Sequence, residues 1–244
     1  MRTGQDIRTD AGSSWFFDAG RIALDFAHTG GFADDPDRRR PRGHLGELLA
    51  TPADLDEWLG LHTEPIDVGA TARELQDARA LRAAIARLAT AAAPAPADSA
   101  AERTAVAAGL RAGTGRTRPV PDDIDTVNLF AALPDVPPSL PGGRRRAGAN
   151  RVRLAQALSS VARDAVALLT EVGFDDVEAD GRPARLSRCS APDCGLVFYD
   201  SSRGGTRRWC SMQRCGNRAK VRAHRARQRE RRDEHPSGSG ARVS

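Results

Sequence analysis

The stretch CSAPDCGLVFYDSSRGGTRRWCSMQRC, residues 189–215, contains all four cysteines of the chain. Cys189 and Cys194 form one close pair, Cys210 and Cys215 form a second, and fifteen residues separate the two pairs. Two close pairs at this separation can present four thiolates to one tetrahedral ion. An all-sulfur ligand set suits zinc or iron, and we expect a single structural Zn²⁺.

Other uses of these cysteines stay open at this point. Two disulfides are one alternative, since four cysteines allow three pairings, and unligated thiols are another. We expect no signal peptide at the N-terminus, and thiols stay reduced inside cells. A metal site in a cytoplasmic protein is therefore the favoured prediction. His224 is a spare candidate ligand that we expect to be solvated on a basic helix.

The residues around the cysteines predict a knuckle, a hairpin and a helix. Residues 193–195 (Asp-Cys-Gly) fit a knuckle, residues 196–199 are β-prone, and residues 201–205 have the composition of a hairpin tip. Ser211 can N-cap a helix that has Cys215 in its first turn. A thiolate is favoured at a helix N-terminus because the backbone dipole is positive there.

Basic residues are concentrated at this end of the chain. Residues 182–232 contain 15 basic and three acidic residues, a net charge of +12, whereas the whole chain carries +5. The remainder of the chain is therefore acidic. Such a concentrated positive field predicts a polyanionic partner, with nucleic acid as the favoured candidate.

The rest of the chain predicts a small helical domain. Thr51 and Pro52 start one helix, because a capping residue is followed by proline at the first helical position. A second helix, over roughly residues 70–92, has an apolar stripe at helical spacing. Further helices are predicted from Pro121 and over residues 150–170. Residues 21–29 fit either a strand or a short helix.

We therefore expect a mainly α protein, with a small helical N-terminal domain followed by a C-terminal zinc finger. The finger would consist of a knuckle, a β-hairpin and a basic helix in a treble-clef-like arrangement. The expected order is a disordered start (1–14), the helical domain (15–172), a linker (173–184), the finger with its basic helix (185–232) and a disordered tail (233–244). No membrane span is expected, because no apolar run approaches ~20 residues.

A specific set of residues in the finger resembles the CGNR zinc-finger family. The matching residues are Arg188-Cys189, Asp193-Cys194-Gly195, Phe198, Asp200, Ser201, Arg207-Arg208-Trp209-Cys210-Ser211-Met212, Cys215-Gly216-Asn217-Arg218, Lys220 and His224-Arg225. The resemblance implies zinc on the four cysteines and binding to nucleic acid.

In that family the finger usually follows a helical domain called ABATE, which is described as a stress-induced transcription regulator. Residues 15–29 are similar to the opening of that domain, where the family pattern is Leu-Asp-Phe-x-Asn-Thr. Leu24-Asp25-Phe26 and Thr29 match this pattern, and His28 stands where asparagine is usual. The resemblance covers residues 15–172 and implies a regulatory domain that senses a ligand or a partner.

These observations predict a zinc-dependent nucleic-acid-binding protein that regulates transcription. The predicted contacts to nucleic acid are Arg203, Arg207, Arg208, Arg214, Arg218, Lys220, Arg222 and Arg225. Double-stranded DNA is the expected partner, although the sequence does not choose between DNA and RNA. A homodimer and an unidentified small-molecule effector are further expectations.

The alternative is a finger that docks on protein or RNA and is attached to a helical domain that binds a small molecule or acts as an enzyme. Asp25 and His28 would face one way on a helix and form a small polar ligand site, or else a capping or core hydrogen-bond pair. We expect no enzyme, because a closed four-cysteine site has no open coordination position. The sequence also has no glycine-rich phosphate loop and no nucleophile motif.

Overall fold

The computed structural model describes residues 1–9, 12–30, 46–93, 120–138, 151–174, 185–192 and 194–234. Most of the expected linker (173–184) and most of the expected tail (233–244) lie outside these ranges. We use "the body" for residues 15–172 and "the finger" for residues 185–232. The prediction of a mainly helical protein with a C-terminal finger is confirmed.

Helices form the centre of the body. Among the described residues they are, in chain order, α1 (Ile22–Ala27), α2 (Pro52–His62), α3 (Ala72–Ala92), α4 (Pro121–Ala131) and α5 (Leu154–Val172). Helices α3, α4 and α5 pack against one another, and α1 packs against both α3 and α5. All six residues of α1 are buried. Residues 21–29, which fitted either a strand or a helix by sequence, therefore contain a central helix.

Capping interactions explain where two of these helices begin. Thr51 accepts a hydrogen bond from the backbone of Asp54, and the Asp54 side chain accepts one from the backbone of Thr51. Thr71 and Glu74 form the same reciprocal pair at the start of α3. Each pair satisfies two backbone donors that a helix N-terminus leaves without partners. The predicted start at Thr51 and Pro52 is therefore confirmed.

The N-terminal residues form a hairpin, which corrects the expectation of a disordered start over 1–14. Strand β1 (Gln5–Arg8) pairs antiparallel with β2 (Ser14–Phe17). Ile7 and Phe17 are buried in the core, and Trp58 of α2 donates a 2.7 Å hydrogen bond from Nε1 to Gln5 Oε1. Strand β1 is short and mostly polar, so its sequence carries little hydrophobic periodicity.

The finger begins with a second hairpin, whose pairing differs from the sequence expectation. The β-prone run forms β4 (Val197–Tyr199), but its antiparallel partner is β3 (Leu186–Arg188), upstream of the first cysteine. Residues 201–205 therefore do not form the tip of this hairpin. The buried Asp200 carboxylate accepts hydrogen bonds from the backbone of Ser202 and Arg207, which turns the chain away from the sheet.

The finger ends in a single π-helical turn (Met212–Gly216) that continues directly into α6 (Asn217–Glu234). This agrees with a helix that carries Cys215 at its start. Ser211 occupies the position before the turn, but its side chain makes no capping bond. Its carbonyl oxygen instead accepts from the backbone of both Cys215 and Gly216, at 3.1 and 3.0 Å.

The finger and the body share one hydrophobic core. Buried residues of both regions, including Leu196 and Phe198 of the finger, belong to a single contiguous cluster. Strand β4 lies against α1: His28 Nε2 is 2.8 Å from the carbonyl oxygen of Val197, and the Tyr199 backbone donates to the carbonyl oxygen of Ala19 at 2.8 Å. The finger is thus packed onto the body along its strand edge.

Gly20 provides a sharp test of this packing. It has a φ of +80°, and a Cβ at this position would lie 2.5 Å from the carbonyl oxygen of Tyr199. We expect Gly20→Ala to reduce the free energy of unfolding by about 3 kcal/mol, because backbone strain and a clash with finger backbone combine. Urea denaturation would measure the change.

Gly12→Ala is the matched control for this substitution. Gly12 has nearly the same φ, +78°, but no atom lies within 4 Å of a Cβ built there. Gly12→Ala should therefore lower the free energy of unfolding only through the strain of an alanine at positive φ, about 1 kcal/mol. Equal losses for the two variants would contradict a close backbone contact at the body–finger junction.

Candidate metal centre and nucleic-acid interface

The four cysteines converge on one point. Their Sγ atoms all lie within 4.8 Å of one another, and the Sγ of Cys210 is 3.7 Å from that of Cys194 and 3.5 Å from that of Cys215. A tetrahedron of sulfurs about 2.3 Å from zinc has edges of about 3.8 Å. All four cysteines are free thiols, so the disulfide alternative is wrong.

Backbone hydrogen bonds shape the two halves of this cluster. The Cys189 backbone donates to the carbonyl oxygen of Leu196 at 2.9 Å, and the Cys194 backbone donates to that of Ala191 at 3.0 Å, which folds the first pair into a knuckle. The second pair is held by the π-helical turn that begins after Ser211. Local backbone geometry thus aims all four side chains inward.

Groups outside the cluster donate hydrogen bonds to its sulfurs. The backbone of Cys210 donates to Cys189 Sγ at 3.4 Å, and Arg218 Nη2 donates to Cys215 Sγ at 3.3 Å. Donors of this kind stabilise thiolate charge and orient metal ligands. Cys189, Cys210 and Cys215 are buried, as expected for a closed structural site rather than a catalytic one.

The thiols cannot all ionise by themselves. Hydrogen bonding with Cys194 lowers the pKa of Cys189, and hydrogen bonding with Cys189 lowers the pKa of Cys215. Hydrogen bonding with Cys189 also raises the pKa of Cys194 and the pKa of Cys210. Four neighbouring thiolates therefore require a cation between them. A sulfur-only set with tetrahedral spacing fits one structural Zn²⁺, as predicted.

Comparison with protein families agrees with this geometry. A family model described as "ABATE: Putative stress-induced transcription regulator" matches residues 20–172. The chain belongs to the ABATE family. A second model, the CGNR zinc finger, matches residues 185–228. The two matches have the predicted order, and no curated protein is similar enough to the chain to be matched.

Of the eight predicted nucleic-acid contacts, three have structural roles. Arg207 donates from Nη2 to the carbonyl oxygens of Asp18 and Cys210, at 2.9 and 2.6 Å, and lies 4.3 Å above the Phe198 ring. Arg214 lies 3.8 Å above the ring of Trp15 in the ABATE body. Arg218 contacts the metal cluster, as described above. These three side chains stabilise the fold of the finger and its packing on the body.

The other five predicted contacts are exposed: Arg203, Arg208, Lys220, Arg222 and Arg225. Arg208 lies 5.1 Å from the centre of the Trp209 ring, and Trp209 is half-buried. His224 is exposed on α6 and is not among the cluster ligands, in agreement with the expectation of a solvated side chain. The basic surface of the finger therefore consists mainly of α6 and the loop before it.

Asp25 is fully buried in α1 and joins this helix to the residues at the start of β1 and to the segment that precedes α1. Its carboxylate oxygens accept hydrogen bonds from the backbone of Gly4 at 2.7 Å and of Ala19 at 2.9 Å. Its own carbonyl oxygen accepts from Gln5 Nε2 at 2.5 Å. Burial raises the pKa of this carboxyl group to about 7, and the two backbone donors oppose that shift.

Asp25 and His28 do not form the open ligand site that their spacing suggested. Both are buried, with exposed fractions of 0% and 2%, and each is hydrogen-bonded to the backbone of another segment, Asp25 to Gly4 and Ala19 and His28 to Val197. Since a carbonyl oxygen accepts, His28 must carry a proton on Nε2 and donate it to Val197. Both residues position the finger and the N-terminal hairpin.

Other residues at this junction escape sequence analysis. Arg188 of the finger donates to the carbonyl oxygen of Thr90 at the end of α3. The Tyr199 hydroxyl donates to Glu171 of α5 at 2.6 Å, and Arg21 bridges Asp164 and Glu171. These contacts join positions far apart in the chain, so no local spacing reveals them.

Loss of zinc should destabilise the body as well as the finger. Cys210→Ser removes one ligand, and because the finger shares its core with α1, hydrogen exchange should rise in α1 and in β1–β2 as well as in residues 185–232. Zinc content and exchange by mass spectrometry would measure both effects.

Ser211→Ala is the control for this ligand substitution. Ser211 is next to the ligand Cys210, but its hydroxyl group forms no capping hydrogen bond with the helix. We therefore expect Ser211→Ala to keep its full zinc content and to lose less than about 0.5 kcal/mol of stability. Exchange confined to the finger in Cys210→Ser would contradict a shared core.

The titration of Asp25 should make stability depend on pH. Burial raises its pKa to about 7 in the folded state, whereas an unfolded aspartate titrates near ~4. Between these values the folded protein binds the extra proton. The extra proton on Asp25 therefore stabilises the fold fully below about pH 4. This stabilisation falls by about 1.4 kcal/mol per pH unit as the pH rises from about 4, and it is lost once the pH has passed about 7.

Asp25→Asn isolates this contribution. The amide cannot titrate, and its NH₂ group would face a backbone donor, so the variant should also be less stable at every pH. Urea unfolding between about pH 5 and 8 should show the stability difference between wild type and Asp25→Asn shrinking as the pH rises. A constant difference would show that Asp25 keeps an ordinary pKa.

Proposed function

We propose that this protein is a zinc-dependent DNA-binding regulator of transcription. The observation that carries the proposal is the exposed, basic helix α6, which starts at the metal cluster. From Lys220 to Arg231 every side chain is exposed, and residues 182–232 carry a net charge of +12. Such a surface is suited to a phosphate backbone.

The body is proposed to sense a small molecule or a protein partner. Its family description as a stress-induced regulator supports this role. The contacts of Ala19 and His28 with β4 offer a route by which a change in α1 would move the finger. A homodimer would place two such helices on successive turns of a duplex, which increases the contacted length.

We propose that the protein acts by binding rather than by catalysis. A closed site of four cysteines leaves no coordination position for a substrate, and Asp25 and His28 are occupied in the core. Among the residues that the structure describes, no helix has both the length and the apolar character needed to cross a bilayer. The proposed site of action is DNA in the cytoplasm.

A salt titration of the full-length, zinc-loaded protein on duplex DNA tests the proposal. The five exposed predicted contacts would neutralise about five phosphates, so the slope of log affinity against log salt should be at least as steep as about −4.5, and each further exposed arginine of α6 that contacts a phosphate would add about −0.9. Fluorescence anisotropy on random duplex DNA, a selected DNA pool and duplex RNA provides the measurement. No binding to DNA at low salt would overturn the proposal, and tighter binding to RNA would favour the RNA-docking alternative.

Two arginine variants separate binding from folding. Arg225→Ala removes an exposed charge and should weaken DNA binding without changing the melting temperature. Arg207→Ala removes contacts to Asp18 and Cys210 and should lower the melting temperature as well. Weaker DNA binding at an unchanged melting temperature in Arg225→Ala would show that this exposed arginine contacts DNA. A lower melting temperature in Arg207→Ala would show that this arginine has a structural role.

A further inference from the structure

Helix α6 has an outer stripe of amide, imidazole and aliphatic side chains. Asn217, Val221, His224 and Gln228 follow one another at spacings of four, three and four residues, which places them on one face of an α-helix. All four are exposed, and Gln228 Nε2 lies 3.0 Å from His224 Nε2. These side chains carry hydrogen-bonding groups or a methyl surface but no permanent positive charge.

This stripe points away from the finger. At about 100° per residue, it lies on the side opposite Ala219, the half-buried residue that follows the buried Cys215 and Gly216. Asn217 belongs to the Cys-Gly-Asn-Arg motif, and its exposure shows that it is not part of the finger core. The face that carries the stripe is exposed from Asn217 to Gln228.

Two basic rows flank the stripe, one on each side. One row consists of Lys220, Arg227 and Arg231, and the other of Arg222, Arg225 and Arg229. The helical angles place these rows nearly opposite each other around the helix axis. All six side chains are exposed.

A basic row on each side of a helix distinguishes between partners. A membrane surface or a single strand of nucleic acid lies on one side of a helix and requires one basic face. The major groove of duplex DNA has a phosphate backbone along each edge and base edges on its floor. Its width of about 12 Å admits an α-helix, whereas the major groove of duplex RNA is too deep and narrow.

We propose that α6 enters the major groove of duplex DNA, that its two basic rows contact the two phosphate backbones, and that the outer stripe contacts base edges. This inference rests on the proposed DNA-binding function. Asn217 and Gln228 have the side chains that pair with adenine, and Val221 suits the methyl group of thymine. The helix is about 27 Å long, so it spans several base pairs.

The test uses the full-length, zinc-loaded protein and a duplex sequence selected from a random pool. Gln228→Ala should reduce the preference for the selected sequence over random DNA about tenfold and leave the salt slope unchanged. Arg227→Ala should weaken binding to both DNAs equally and make the salt slope shallower by about 0.9. Methylation of guanine N7, which lies in the major groove, should block binding.

Ala223→Ser is the matched control, because residue 223 lies on the face opposite the stripe and should change neither quantity. Unchanged sequence preference in Gln228→Ala, failure of selection to yield a preferred sequence, or binding that tolerates N7 methylation would overturn the groove assignment while DNA binding itself stands. No binding of wild type to any DNA would overturn the proposed function as well. Unchanged zinc content and melting temperature confirm that each variant is folded.

Discussion

The structure of the finger depends on four sulfur atoms that lie within 4.8 Å of one another. The finger has two strands of three residues each and one π-helical turn ahead of α6. Elements this short do not bury enough apolar surface to be stable alone. A cation between the thiols supplies the missing free energy, and it fixes the direction in which α6 leaves the finger.

Sequence patterns identify the local features of this protein well. The cysteine spacing, the β-prone run over residues 196–199 and the capping residue Thr51 all depend on residues close together in the chain, and the structure contains each of them. Long helices with an apolar stripe, such as α3, are also predictable, because periodicity over several turns outweighs the preference of any single residue.

The interactions that position the candidate site were not predictable in this way. Strand β4 pairs upstream with β3 because Asp200 turns the chain, and a buried carboxylate in a polar segment gives no periodic signal. Arg207 and Arg214 were indistinguishable from solvent-exposed arginines by sequence, yet they contact the body. Asp25 and His28 lie at helical spacing, but their partners come from residues 4, 19 and 197.

The shared core also limits how this protein can be divided. Many zinc fingers behave as portable modules that can be moved between proteins without loss of their fold. Here a cut between residues 172 and 185 would expose Phe198 and the apolar side of β4 on one fragment and α1 on the other. Gene fusions that transplant the finger alone would thus carry an uncovered apolar surface, and the finger and the body would evolve together as one inherited unit.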